Sequence, residues 1–214
     1  MSKLDIDWNA LNKLKGADLK RATFTTIQQA AFCIQSTEND DPSLLEAVPR
    51  LSELVNRNQQ DLGSFRQLVS SLARSTGLWN YIDIENADAS DAFVAEAATA
   101  YELDGVTFHR EQISALDALL SGRNLILSAP TSFGKSLLVD ALLATNRYQR
   151  IAVVLPTIAL LDEFRRRFRD RFSDKFNVVM HQSETSTDGP TIFLGTQERL
   201  IYREDEICAE VGDA

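Results

Sequence analysis

One short run in this chain has the residue types and the order to hold a phosphate: Ala129-Pro130-Thr131-Ser132-Phe133-Gly134-Lys135-Ser136. A leucine-rich stretch at 125–128 leads into it and the apolar Leu137-Leu138-Val139 leads out, giving the order strand, loop, helix that such a site needs. A loop wrapped around an anion presents its backbone N–H groups, and the positive end of the following helix adds to the attraction. Lys135 supplies a point charge for β- and γ-phosphates, and the Ser136 hydroxyl is a ligand for Mg2+. Gly134 stands where the backbone comes too close for a side chain, and Pro130, Thr131, Ser132 and Phe133 complete the turn. Ala129 occupies the place of the first glycine in the full phosphate-loop pattern.

The elements that must position this loop lie in the second half. From 105 to 214, β-branched or leucine-rich runs at 125–128, 151–155, 178–180 and 192–194 are bounded by Pro, Gly, Ser and Thr and read as strands. Lys135–Ala144 and Ile158–Phe172 between them carry apolar residues at helical spacing. This alternation predicts a parallel sheet with helices on its faces.

Residues 1–104 read instead as an all-α domain. Leu19, Thr23, Ile27, Ala30 and Ile34 share one helix face, with Asp18 as the expected N-cap. A turn signal follows at 38–43, and Pro49 is expected to separate two helical pieces. Phe65, Leu68, Val69 and Leu72 mark another helix, closed by Gly77. Phe93, Ala97, Ala100 and Tyr101 are expected as the face of a last helix, opened by the Asp and Ser residues at 88–91. The predicted fold class is α/β, an all-α N-terminal domain over 1–104 followed by a P-loop domain over 105–214.

Composition narrows the class further. With 44% hydrophobic residues, 25% charged residues and 9 glycines among 214, the chain is neither disordered nor collagenous. No run approaches the roughly 20 apolar residues of a membrane span, and the Lys- and Asp-rich start lacks the apolar centre of a signal peptide. A cytoplasmic protein without membrane contact is expected. Of the net charge of −9, most sits in 1–104, where nine Lys and Arg face sixteen Asp and Glu. That balance excludes indiscriminate phosphate binding by the whole surface but leaves room for a local basic track. Arg165, Arg166, Arg167, Arg169 and Arg171 form either such a track or a solvated face paired with Asp162, Glu163 and Asp170. The carboxylate pairs Asp162-Glu163 and Asp205-Glu206 read as solvated faces. Cys33 and Cys208 read as reduced thiols, and His109 and His181, lacking partners at metal spacing, read as structural or surface histidines.

The loop resembles the first motif of the superfamily 2 DExD/H-box helicases, A-x-T-G-x-G-K-[ST], with Ala129, Thr131, Gly134, Lys135 and Ser136 in register. Ser132 stands where that family often has glycine. Gln112, in Phe108-His109-Arg110-Glu111-Gln112, looks like the Q motif, whose amide matches the donor and acceptor of an adenine edge. Phe108, His109 or Arg110 would stack on the base. Leu155-Pro156-Thr157-Ile158-Ala159-Leu160-Leu161 is similar to motif Ia, and Gly195-Thr196-Gln197-Glu198-Arg199-Leu200 to motif Ib. The resemblance spans about residues 106–200 and looks most like the Ski2-like branch. Phe133 is unusual there, and reads either as a contact to a neighbouring domain or as a plain loop aromatic.

What the resemblance implies is specific. It implies a RecA-like first helicase domain, ATP and Mg2+ as cofactors, and catalytic roles for Lys135 and Ser136. Pro156, Thr157, Thr196 and Arg199 would hold the backbone of single-stranded or duplex nucleic acid, with DNA favoured. The P-T-S-F-G-K-S loop behind a helical leader also looks like the helicase subunits of two-gene anti-phage defence systems of the Hachiman type, whose companion is a nuclease. Such a companion, or another protein, would dock on 1–104.

The family's magnesium-binding motif II has no match after Arg199, nor is a second RecA-like domain present, so an N-terminal part of a larger helicase, inactive alone, is expected. A GTPase is disfavoured, because no N-K-x-D follows the loop. The competing reading is a complete non-motor module that binds a nucleotide or a protein. The 214-residue chain by itself should hydrolyse little ATP in a phosphate-release assay; steady turnover stimulated by nucleic acid would contradict the expected truncation.

Overall fold

Apolar spacing of three and four residues dominates the front of the chain, and helices form wherever that spacing holds. The computed structural model describes residues 4–36, 42–130, 133–180 and 189–201. Thr131, Ser132, His181, Asp205-Glu206, Cys208 and most of the turn expected at 38–43 lie outside these. The chain divides into two units, Met1–Leu127 and Ser128–Ala214.

The first unit contains α1 (Trp8–Leu11), α2 (Gly16–Ser36), α3 (Pro42–Arg57), α4 (Gln59–Leu62), α5 (Arg66–Thr76), α6 (Ala89–Ala97) and α7 (Arg110–Leu120). Between α6 and α7, β1 (Thr99–Ala100) and β2 (Val106–Thr107) pair antiparallel. The core is built where the stripes of α2, α3 and α5 meet, from Leu19, Ile27, Ala30, Leu44, Val48, Leu51, Val55, Val69 and Leu72. Burying side chains of this size contributes about 1.5–3 kcal/mol each against a still larger loss of chain entropy. Leu68, expected on the α5 stripe, is exposed.

Several local expectations change here. α2 begins at Gly16, so Asp18 lies inside the first turn, where its charge favours the helix dipole, and is not the cap. Pro49 lies within a continuous α3. Leu44, Ala47 and Val48 before it and Leu51, Leu54 and Val55 after it are all buried on one stripe, and this packing outweighs the lost hydrogen bond. α6 turns the opposite face inward: Phe93 and Tyr101 are exposed, while Asp91, Ala95 and Ala98 are buried. The buried Asp91 sets that rotation, because its carboxylate accepts from Ser71 Oγ at 2.8 Å and Arg74 Nη1 at 3.3 Å. Asp88 caps the helix by accepting the Asp91 N–H at 2.9 Å. The short β1 within the predicted all-α stretch is a further difference.

The second unit runs α8 (Lys135–Ala144), β3 (Arg150–Val154), α9 (Ile158–Phe172), β4 (Asn177–Val179), β5 (Thr191–Gly195) and α10 (Gln197–Ile201). Its sheet has the order β3-β5-β4 with both pairings parallel. β5 is the middle strand and is buried from end to end, as a strand covered on both faces must be. The helical leader followed by a partial RecA-like α/β fold is therefore present. The strand expected at 125–128 is absent: these residues join no ladder among the described residues, and Ile126 is 99% exposed. β-propensity supplies no pairing partner, and without one an extended run is only a loop.

Gly77 ends α5 in the left-handed region at φ 77°, and a Cβ there would lie 2.6 Å from Arg110 Nε. Gly77→Ala should therefore cost about 1–3 kcal/mol. Equilibrium denaturation reads this directly, and an unchanged midpoint would contradict the close approach.

Candidate functional site

Of the expected phosphate-loop residues, Gly134, Lys135 and Ser136 lie at the start of α8. Gly134 takes φ 80° and ψ 36° as the residue before the helix, a left-handed turn that glycine adopts without steric cost. Lys135 is the first helical residue, and its Nζ donates to the Ala129 and Pro130 carbonyls, each at 2.8 Å. The ammonium is thus held over the loop. Phe133 N–H donates to Pro130 O at 3.1 Å and Leu137 N–H to Gly134 O at 2.9 Å, which tightens the turn. Ser136 is exposed beside Lys135, and no side chain caps the helix. The first-turn amides of α8 and the hydroxyl of Ser136 are the donor set that a phosphate and a hard cation require, so the residues fit such a pair.

The sheet brings the two other segments together. β3 and β5 are parallel with Val154 opposite Gly195, so the chain leaves both strands at the same edge. One further bond, Leu155 N–H to Gly195 O at 3.0 Å, extends the ladder to the point of departure. Pro156-Thr157 follows the first strand and Thr196 the second. Thr157 is the N-cap of α9, accepting the Leu160 N–H at 3.3 Å, which leaves its hydroxyl proton to donate. Glu198 is held below the usual carboxylate range, first by its own backbone N–H and then by the Thr196 hydroxyl. Arg199 is exposed one turn further on. A Cβ on Gly195 would meet Leu200 Cγ at 2.8 Å, which explains glycine at this junction.

Gln112 and Phe108 lie in the first unit. Gln112 is 6% exposed and forms a capping box at the start of α7, its Oε1 accepting the His109 N–H at 3.0 Å. His109 Nδ1 lies 3.4 Å from the Gln112 N–H and 3.0 Å from Glu111 Oε2; unprotonated it accepts the first, protonated it donates to the second. Phe108 is buried, and stacking on a base would require its ring to emerge. Arg110 reaches back to the Ser75 carbonyl at 3.0 Å. Two clefts of this unit, of about 450 and 710 Å3, contain none of the predicted site residues; the larger is polar, with Asn56, Arg66, Asn80 and Asp83 among its walls.

Asp140, on α8, was not among the predicted site residues. It is 2% exposed, and Arg171 Nη1 donates to its Oδ2 at 2.9 Å while Arg167 Nε stands 3.2 Å from Oδ1. Burial raises the Asp140 carboxyl above its usual range, and the two guanidiniums oppose that rise without cancelling it. The Arg167 guanidinium also lies over Phe164, 4.0 Å from the ring centre. Two of the five arginines therefore turn inward to the Asp140 carboxylate on another helix. The signal was a lone carboxylate within Leu137-Leu138-Val139-Asp140-Ala141-Leu142-Leu143.

Residues 109–211 match the DEAD/DEAH box helicase family. The chain is also similar to anti-bacteriophage protein B of Escherichia coli strain K12, at 38% identity over 140 residues. That match covers 64% of this chain and 19% of the relative, so the chain spans about a fifth of the relative's length. No solved structure matches. Among the described residues, no helix is long and apolar enough to cross a membrane.

Asp140→Ala should cost the second unit about 1–3 kcal/mol, because it leaves the partly exposed Arg167 and Arg171 guanidiniums without their carboxylate. Thermal denaturation checks this; a melting temperature equal to that of the wild type would show that the ion pairs are solvated and weak.

Proposed function

We propose that this chain is the front part of an ATP-dependent nucleic-acid motor acting in defence against bacteriophage. The observation that carries the reading is the Lys135 ammonium, held over a turn that opens directly into the N-terminus of α8. In this reading Lys135 and the first-turn amides hold the β- and γ-phosphates of ATP, and Ser136 holds Mg2+. Bound there, ATP would supply the phosphoryl group whose transfer to water drives movement. Thr131, Ser132, Pro130 and Phe133 close the turn around it. Gln112 reads the adenine, which requires its amide to leave the capping box, with Phe108 nearby as the base's apolar neighbour.

Pro156 and Thr157 after β3, and Thr196 and Arg199 after β5, then grip the sugar–phosphate backbone through hydroxyl, amide and guanidinium donors. Their common edge is supported by the Val154–Gly195 register. DNA is the proposed track. Residues 1–104 form the leader that docks a companion protein, a nuclease by analogy with defence systems, and 105–214 belong to the first motor domain in the cytoplasm. The anti-phage role rests on the name of the relative and on the helical leader that precedes the loop.

In the intact gene product, Lys135→Ala should lower ATP turnover by about three orders of magnitude or more, since the charge it removes acts on the transferred phosphoryl group. Coupled-enzyme kinetics measures this. Turnover near the wild-type rate would remove the phosphate-loop assignment.

A further inference from the structure

The buried carboxylate of α8 is not explained by stability. Residues 137–143 are otherwise apolar, and an apolar residue at 140 would not strip a charge of its water. Buried ion pairs commonly match or fall below apolar replacements in stability, and their best-attested use is to fix orientation. One contact of Asp140 is directional, the hydrogen bond that Arg171 donates to its Oδ2 at 2.9 Å; Arg167 Nε lies 3.2 Å from Oδ1 as an ion pair without hydrogen-bond geometry. Arg167 is itself pinned, with its guanidinium 4.0 Å from the Phe164 ring centre and 5.4 Å from that of Phe168, which is fully buried.

The two helices joined in this way are those on which the functional reading depends. α8 begins with Lys135, and Asp140 lies five residues on, about 7–8 Å along the axis. α9 begins after its N-cap Thr157 and carries both arginines in its second half. Neither helix contains a proline or glycine that would kink it between its N-terminus and these contacts.

We propose that Asp140 is a positioning residue: through Arg167 and Arg171 it locks the helix of the phosphate loop to the helix that starts at Thr157. The nucleotide end and the nucleic-acid end of this unit then move as one body. This rests on the motor reading given above. It adds that the communication between the two ligands passes through this carboxylate, and that apolar packing alone does not transmit it.

The test uses the intact gene product, with ATP turnover measured with and without a single-stranded DNA oligonucleotide. Two variants are compared with the wild type: Asp140→Asn, and Asp140→Leu combined with Arg167→Met and Arg171→Met, which fills the site with apolar groups and so retains folding. In both, basal turnover and the KM for ATP should stay within about twofold, while DNA-stimulated turnover falls about tenfold, a coupling of ordinary size. Asp140→Glu, which keeps the charge, should recover most of the stimulation. Stimulation at the wild-type level in the folded apolar triple variant would overturn the coupling and leave the motor reading intact. A wild-type protein that DNA does not stimulate would overturn the motor reading and the coupling with it.

Discussion

Parallel pairing of β3 with β5 is the constraint on which the candidate site depends. Parallel strands send their chains out at one edge, and the Val154–Gly195 register makes the two exits neighbours. The segments that carry Thr157 and Thr196 therefore leave the sheet side by side, although some forty residues separate them. The cost of that arrangement is a middle strand with no solvent face: Thr191, Ile192, Phe193 and Leu194 are all buried. Shifting the pairing by one residue would turn these side chains to the other face and separate the loops.

A second layer of organisation lies in how helices start. Gly134 before α8 and Thr157 before α9 are both termini at which backbone donors point outward, one without a side-chain cap and one with a hydroxyl that caps yet can still donate. The same physics suits a phosphate of a nucleotide and a phosphate of a nucleic acid. In the helical leader two polar side chains are spent internally: Asp91 on Ser71 and Arg74, and Gln112 on the start of α7.

Much of the α/β part was legible because its signals are local. The limits of α8 and α9 follow from Gly134 and Thr157 at one end and from apolar spacing through the rest, and they match the expectation to the residue. The loop residues were legible because their chemistry demands their order. What escaped the sequence was decided by distant partners. Residues 125–128 have strand composition, but strand formation depends on a neighbour. Pro49 has the local signature of a break, and the burial of Val48 and Leu51 on either side overrides it. The face of α6 was read from apolar spacing, whereas a buried Asp91 decides it. Asp140 escaped because a carboxylate in an apolar helix is recognised only with the arginines that meet it in space.

The central claim is that the turn from Ala129 into α8 takes the phosphates of a nucleotide. Hydrogen–deuterium exchange on the intact gene product, with and without a non-hydrolysable ATP analogue and Mg2+, tests it most directly. The account predicts slowed exchange at the amides of Phe133, Gly134, Lys135 and Ser136, with the protection requiring the analogue's γ-phosphate for its full extent. Unchanged exchange across this turn, with protection confined to the leader's polar cleft around Asn56 and Asn80, would contradict it.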